Sequence, residues 1–174
     1  MVDEKGTRED NNRKSESRAN KMIDLFNAVR GQELKKFPVP PFTKWLNGRV
    51  IEAARGEVLL EFDIRSEMAN PTGLLHGGMQ SAILDDTIGM TTATLGYEGF
   101  LITINMTVNY LGKVKVGETI TSRGKILREG RNIVHAKAQL FDKDKNLIAN
   151  AHSNLLITSH EPNYAKKLDN FNEA

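Results

Sequence analysis

Cysteine is absent from all 174 residues, which excludes a disulfide framework, a thiolate nucleophile and a thiolate metal site, and suits a reducing compartment. Neither sign of charge prevails. The 24 Lys and Arg stand against 22 Asp and Glu, and the net +2 lacks the one-signed excess of a dedicated nucleic-acid or polybasic membrane binder. The chain has no run of roughly 18 apolar residues, and its opening Met1-Val2-Asp3-Glu4-Lys5 has no apolar stretch of secretory type, so a soluble cytoplasmic protein is expected. Also lacking are the Gly-x-x-x-x-Gly-Lys-Ser/Thr phosphate loop and the Gly-x-Ser-x-Gly elbow, which disfavours phosphate-loop hydrolysis and serine-based acyl transfer. His135, His152 and His160 have no metal-ligand spacing, so no metal is expected.

What is present fits one domain with one core. Residues 1–20 mix acids and bases with almost nothing apolar to bury, the composition of a mobile charged tail. From Lys21 to Lys36, the apolar Met22, Ile23, Leu25, Phe26, Val29 and Leu34 recur at helical spacing and predict a docked amphipathic helix. Pro38, Pro40 and Pro41 end it, so 21–47 reads as a helix and a Pro-rich connection. A strand pair is predicted over 48–54 and 57–64, the second alternating Val58, Leu60, Phe62 and Ile64 against charged neighbours. Over 77–95 the residues turn small and unbranched with low polarity all round, as in a helix enclosed by protein, and Gly96 is its stop. Strands follow over 100–110, 118–127, 132–141 and 147–158, with turn chemistry at Glu129-Gly130 and from Asp142 to Asn146, which predicts a four-stranded antiparallel meander. In the first of these, Ile102, Ile104, Met106, Val108 and Tyr110 alternate with Thr103, Asn105, Thr107 and Asn109, placing Thr103 on the polar face. One long buried helix needs a sheet to wrap it. The expected fold of 48–160 is therefore α+β, an antiparallel β-sheet wrapped around a long central α-helix, with 161–174 a C-terminal tail.

The densest chemical signal is Asn70-Pro71-Thr72-Gly73-Leu74-Leu75-His76-Gly77-Gly78, which runs straight into the predicted central helix, with Asp85 one turn beyond Ala82. Asn-x-x-Gly-x-x-His-Gly-Gly followed by Asp seven residues after the second Gly resembles the phenylacetate-degradation (PaaI-like) branch of hotdog-fold acyl-CoA thioesterases. The similarity of segment order covers about 48–158. It implies a hotdog fold and hydrolysis of acyl-coenzyme A to free acid and CoA, with no cofactor beyond the coenzyme A of the substrate.

Physical reasoning bears on the same residues. Glycines in a first helical turn leave N–H groups uncovered at the positive end of the helix dipole, where a developing oxyanion is favoured, so Gly77 N–H is the oxyanion donor and Gly78 lies beside the substrate. Asp85 sits in an otherwise apolar stretch, where an ionised carboxylate needs a purpose or a partner. Asp86 is its competitor, and the resemblance selects Asp85 as nucleophile or general base. The resemblance also implies that Asn70 orients the attacking water or the carbonyl, that His76 supports the loop, and that Thr103 positions the water. Coenzyme A phosphates need cations, for which Lys113, Arg128 and Arg131 are candidates.

In helical geometry Gly77 and Asp85 are about 12 Å apart along the axis and roughly 80° around it, so one chain can hardly aim both at one carbonyl. The resemblance implies a homodimer whose sites combine the helix start of one subunit with the mid-helix acid of the other, paired again into a tetramer. Nucleic acid and membrane are not expected partners. A non-catalytic acyl-CoA-binding or regulatory module and a hotdog hydratase or dehydratase are the rival readings.

Overall fold

The alternation of apolar residues sets the sheet. In the computed structural model, which describes residues 4–160, Val58, Leu60 and Phe62 point into the core from β2 (Glu57–Asp63) while their neighbours face outward. Beside it runs β1 (Arg49–Ala54), and after the long helix α3 (Gly77–Ala93) come β3 (Leu101–Tyr110), β4 (Thr119–Glu129), β5 (Ile133–Phe141) and β6 (Leu147–Ile157). All pairings are antiparallel, in the order β1-β2-β4-β5-β6-β3. The fold is thus the expected α+β hotdog, with α3 packed on one face of a six-stranded sheet.

The four-stranded meander is corrected. Only β4, β5 and β6 follow one another, whereas β3 crosses to the far edge and pairs with β6. The helix between β2 and β3 makes this possible, because a crossover can set down its second strand away from the first, and β4 takes the free edge of β2.

Contact between α3 and the sheet is close because the sheet offers small residues beneath it. Ala136, Ala138, Ala149 and Ala151 are buried on β5 and β6, and at Gly124 of β4 any Cβ would collide with Thr91 Oγ1 and lie 3.1 Å from Thr87. Thr87 and Thr91 are themselves fully buried. Their hydroxyls bond back to the Ile83 and Thr87 carbonyls at 2.7 Å, and Thr87 also meets Ser122 Oγ, so none is left without a partner.

The N-terminal expectations are also corrected. Helix α1 (Glu4–Ala28) extends back through the stretch read as a mobile tail, and it ends before 36. The expected apolar docking holds for its last turns, where Phe26 is buried in the core and Met22 packs against it, and polar contacts add to it further back. Ala19 is buried, Arg18 Nε donates to the Gly96 carbonyl at 2.9 Å and Ser15 Oγ donates to it at 3.2 Å, while a side chain at Gly96 would strike the Ser15 carbonyl. Backbone approach and hydrogen bonds leave little trace in hydropathy. Leu34 packs instead in a short 3-10 turn, and Pro41 opens a further helix, α2 (Pro41–Leu46), where its fixed φ and missing N–H suit the first helical position. The expected tail at 161–174 lies outside the described residues.

Gly124→Ala should force α3 off the sheet and cost about 2–3 kcal/mol. Thermal unfolding should then show a fall in Tm of roughly 5–10 °C, and an unchanged Tm would contradict the contact.

Candidate active site

Backbone hydrogen bonds weave the segment between β2 and α3 into place. Leu75 N donates to the Val114 carbonyl at 2.8 Å and His76 N to that of Met68 at 2.9 Å, so the chain enters α3 pinned on both sides. Asn70 holds the turn: its Oδ1 accepts from Thr72 N (2.9 Å), Thr72 Oγ1 (2.7 Å) and Leu74 N (3.1 Å). This is an Asx turn, completed by Gly73 at φ +76°, which a side chain would resist. With its oxygen engaged, Asn70 has an oriented Nδ2 whose protons no described residue accepts.

His76 is the N-cap of α3. Its Nδ1 accepts from Gly78 N at 2.9 Å, so this nitrogen carries no proton in the cap. The bond separates the two glycines. The Gly78 N–H serves the cap and is not free for a ligand, and a Cβ at Gly78 would lie 3.0 Å from His76 Nδ1. Among the described residues nothing accepts from the Gly77 N–H, which lies at the positive end of the helix. A Cβ at Gly77 would only touch the Tyr110 ring at 3.5 Å, so packing within this chain does not demand glycine there.

The two adjacent acids have exchanged expected environments. Asp85 is exposed, and its Oδ1 accepts from Thr103 Oγ1 at 3.2 Å. Asp86 points inward to α2, where Thr43 Oγ1 donates to Oδ1 at 2.7 Å and Oδ2 is enclosed with no partner. One step of about 100° around the helix separates the two directions. Burial raises the Asp86 carboxyl to about 6, the Thr43 hydrogen bond opposes this, and the charge of Asp85 adds to it. The carboxylate in apolar surroundings is therefore Asp86, while Asp85 keeps the open position that a reacting group needs.

Thr103 reaches Asp85 because β3 breaks its alternation. The register with β6 shifts between Thr103 and Asn105, and the bulge reverses the parity of the strand. Thr103 consequently faces α3 together with Met106, Val108 and Tyr110, not on an opposite polar face as strict alternation predicts. At the other end of the seam the Tyr110 hydroxyl lies 2.5 Å from Ser81 Oγ. Neither Ser81 nor Thr43 stands out as a site residue in the sequence, although Ser81 lies four residues from both Gly77 and Asp85. The cations do not converge within one chain. Lys113 follows β3 beside the start of α3, whereas Arg128 and Arg131 sit at the β4–β5 turn, at the Thr103 end of the sheet.

Comparison with known proteins agrees with this fold. Residues 72–149, from the Asn70 turn to β6, match the family described as the Thioesterase superfamily. Among individual proteins, acyl-coenzyme A thioesterase 13 of Mus musculus is 27% identical over 110 residues, covering 62% of this chain and 77% of the mouse protein. The crystal structure of thioesterase superfamily member 2 of zebra fish superimposes with a TM-score of 0.65 at 26% identity, covering 80% of this chain and 98% of that one. The Streptococcus mutans protein smu.793, solved bound to acetyl CoA, shares the fold with a TM-score of 0.63 at 22% identity, over 67% of this chain and 92% of its own.

The raised carboxyl of Asp86 binds its proton more tightly in the folded chain than in the unfolded one, so its contribution to stability is full at low pH and is lost as pH rises through about 6. Asp86→Asn keeps an acceptor for Thr43 without the charge. The stability gap in its favour should widen by on the order of 2 kcal/mol between pH 4 and pH 7, measured by denaturant unfolding. A gap independent of pH would refute the enclosed carboxylate.

Proposed function

We propose that this chain is a PaaI-like hotdog thioesterase that hydrolyses acyl-coenzyme A to free acid and CoA, in sites made by two copies of the chain. The observation that carries the reading is the uncommitted Gly77 N–H at the start of α3, with the open Asp85–Thr103 pair two turns further along the same helix. The family match over 72–149 supports thioester chemistry.

The sheet edges support dimerisation. The β1 edge is covered, since Gly31 N donates to Val50 O and Leu34 N to Gly48 O, both at 2.9 Å. The ten-residue β3 edge has no such cover among the described residues, and it exposes Ile102 (48%) and Ile104 (53%). An open edge of this length pairs with another strand. If the strand is β3 of a second copy, two-fold antiparallel pairing about its middle brings the Thr103 end of one chain beside the Tyr110 end of the other. Asp85 then faces the partner copy's helix start across the interface, which removes the 12 Å difficulty within one chain.

In such a site the Gly77 N–H donates to the thioester carbonyl and holds the oxyanion that forms as the carbon becomes tetrahedral. Asp85 drives that step, either by adding to the carbon itself or by taking a proton from a water that adds. Thr103 fixes one carboxylate oxygen, and Asn70 Nδ2 is placed to donate to the water or the carbonyl. Collapse expels the CoA thiolate, which is protonated, and net addition of one water gives the acid. His76 acts through the cap. Lys113 of one copy and Arg128 and Arg131 of the other are the cations for the CoA phosphates, with the assignment between copies following the same strand pairing.

Asp85→Asn should lower thiol release from acyl-CoA by about 10²–10⁴, with the dimer intact by light scattering. Retained turnover in that variant would sink the assignment. Wild-type binding of acyl-CoA without any thiol release would mark a non-catalytic acyl-CoA-binding module instead.

A further inference from the structure

The seam between α3 and β3 holds two hydroxyls that the proposed hydrolysis does not use. We propose that Tyr110, positioned by Ser81, is a specificity contact that hydrogen-bonds a polar group of the substrate about 6 Å from the thioester carbonyl, one helical turn along α3 from Gly77. The position rests on the placement of the reaction at Gly77 and Asp85.

Ser81 is four residues after Gly77 and four before Asp85, so it shares their stripe of the helix. From β3 the Tyr110 ring lies against Gly77, and its hydroxyl is 2.5 Å from Ser81 Oγ. The two hydroxyls carry two protons, and one is donated within the pair. Among the described residues nothing else lies within hydrogen-bond range of either, so one O–H remains uncommitted. On the strand side the seam is apolar, with Met106 and Val108 partly buried. Tyr110 is 53% exposed and stands on the open edge strand. Once a substrate and a second strand cover that edge, the free O–H either meets a polar atom or bears the cost of desolvation, about 1–3 kcal/mol. Phenylalanine would pack against Gly77 equally well, so the hydroxyl pair is not accounted for by packing. A site that offers a hydrogen bond discriminates against ligands that cannot complete it.

A suitable group occurs in two places on the substrate: a hydroxyl or oxo group on the acyl chain, and an amide carbonyl of the pantetheine arm. The test uses two non-hydrolysable ketone analogues of acyl-CoA, with a methylene between sulfur and carbonyl. One carries a pentanoyl chain, the other a 5-hydroxypentanoyl chain whose hydroxyl reaches about 6 Å from the carbonyl carbon. Their affinities are measured by calorimetry for the full chain and for Tyr110→Phe and Ser81→Ala. With an acyl-chain contact, the wild type prefers the hydroxylated analogue about tenfold, and Tyr110→Phe erases that preference while leaving the plain analogue unaffected. With a pantetheine contact, Tyr110→Phe weakens both analogues about equally, by the same order. In either case Ser81→Ala reproduces the pattern to a smaller extent. Changes of less than twofold in both variants for both analogues overturn the proposal. Because binding is read and not turnover, a wild type that binds both analogues but releases no thiol overturns hydrolysis while the Tyr110 contact stands. A wild type that binds neither analogue overturns both.

Discussion

The rotation of α3 about its own axis is fixed by its contact with β4, where Gly124 lets Thr87 and Thr91 lie against the strand backbone. Once that buried face is set, every other residue of the helix has its direction assigned at steps of about 100°. Gly77, Ser81 and Asp85 turn toward β3, and Asp86 turns toward α2. The candidate site is thus a consequence of how a helix is seated on a sheet, and a residue as remote from it as Gly124 contributes to it.

Edge position gives β3 its importance. An interior strand has both backbone edges occupied, but among the described residues β3 pairs only with β6, and its bulge aims Thr103 and Tyr110 at the same helix. The strand therefore touches both halves of the proposed site, Asp85 near one end and the start of α3 near the other. The N-terminal elements have a quieter part. They cover the β1 edge, bond to the Gly96 turn after α3, and reach Asp86 through Thr43.

Polar groups in this region fall into two kinds. Asn70 Oδ1, His76 Nδ1 and the Gly78 N–H are fully engaged in holding the turn before α3. The Gly77 N–H, Asn70 Nδ2 and one proton of the Ser81–Tyr110 pair have no partner among the described residues. Rigid donors with nothing to donate to are what an electrostatically organised site requires, because they need no rearrangement when charge develops.

By itself the sequence determined the strands, the long helix and the segment where the uncommitted polar groups gather. Alternation at Val58, Leu60 and Phe62, the low polarity of 77–93 and the spacing from Asn70 to Asp85 are local patterns, and local geometry reads them directly. Tertiary structure decided the rest. Hydropathy pairs no strands, so β3 went to the far edge unannounced, and a bulge that depends on register with β6 moved Thr103 to the helix side. It cannot tell Asp85 from Asp86 either, since which of two neighbouring carboxylates is enclosed depends on α2, an element 40 residues away that packs against only one of them. Long-range contacts such as Ala19 at the Gly96 turn involve small residues and backbone, which carry almost no pattern along the chain.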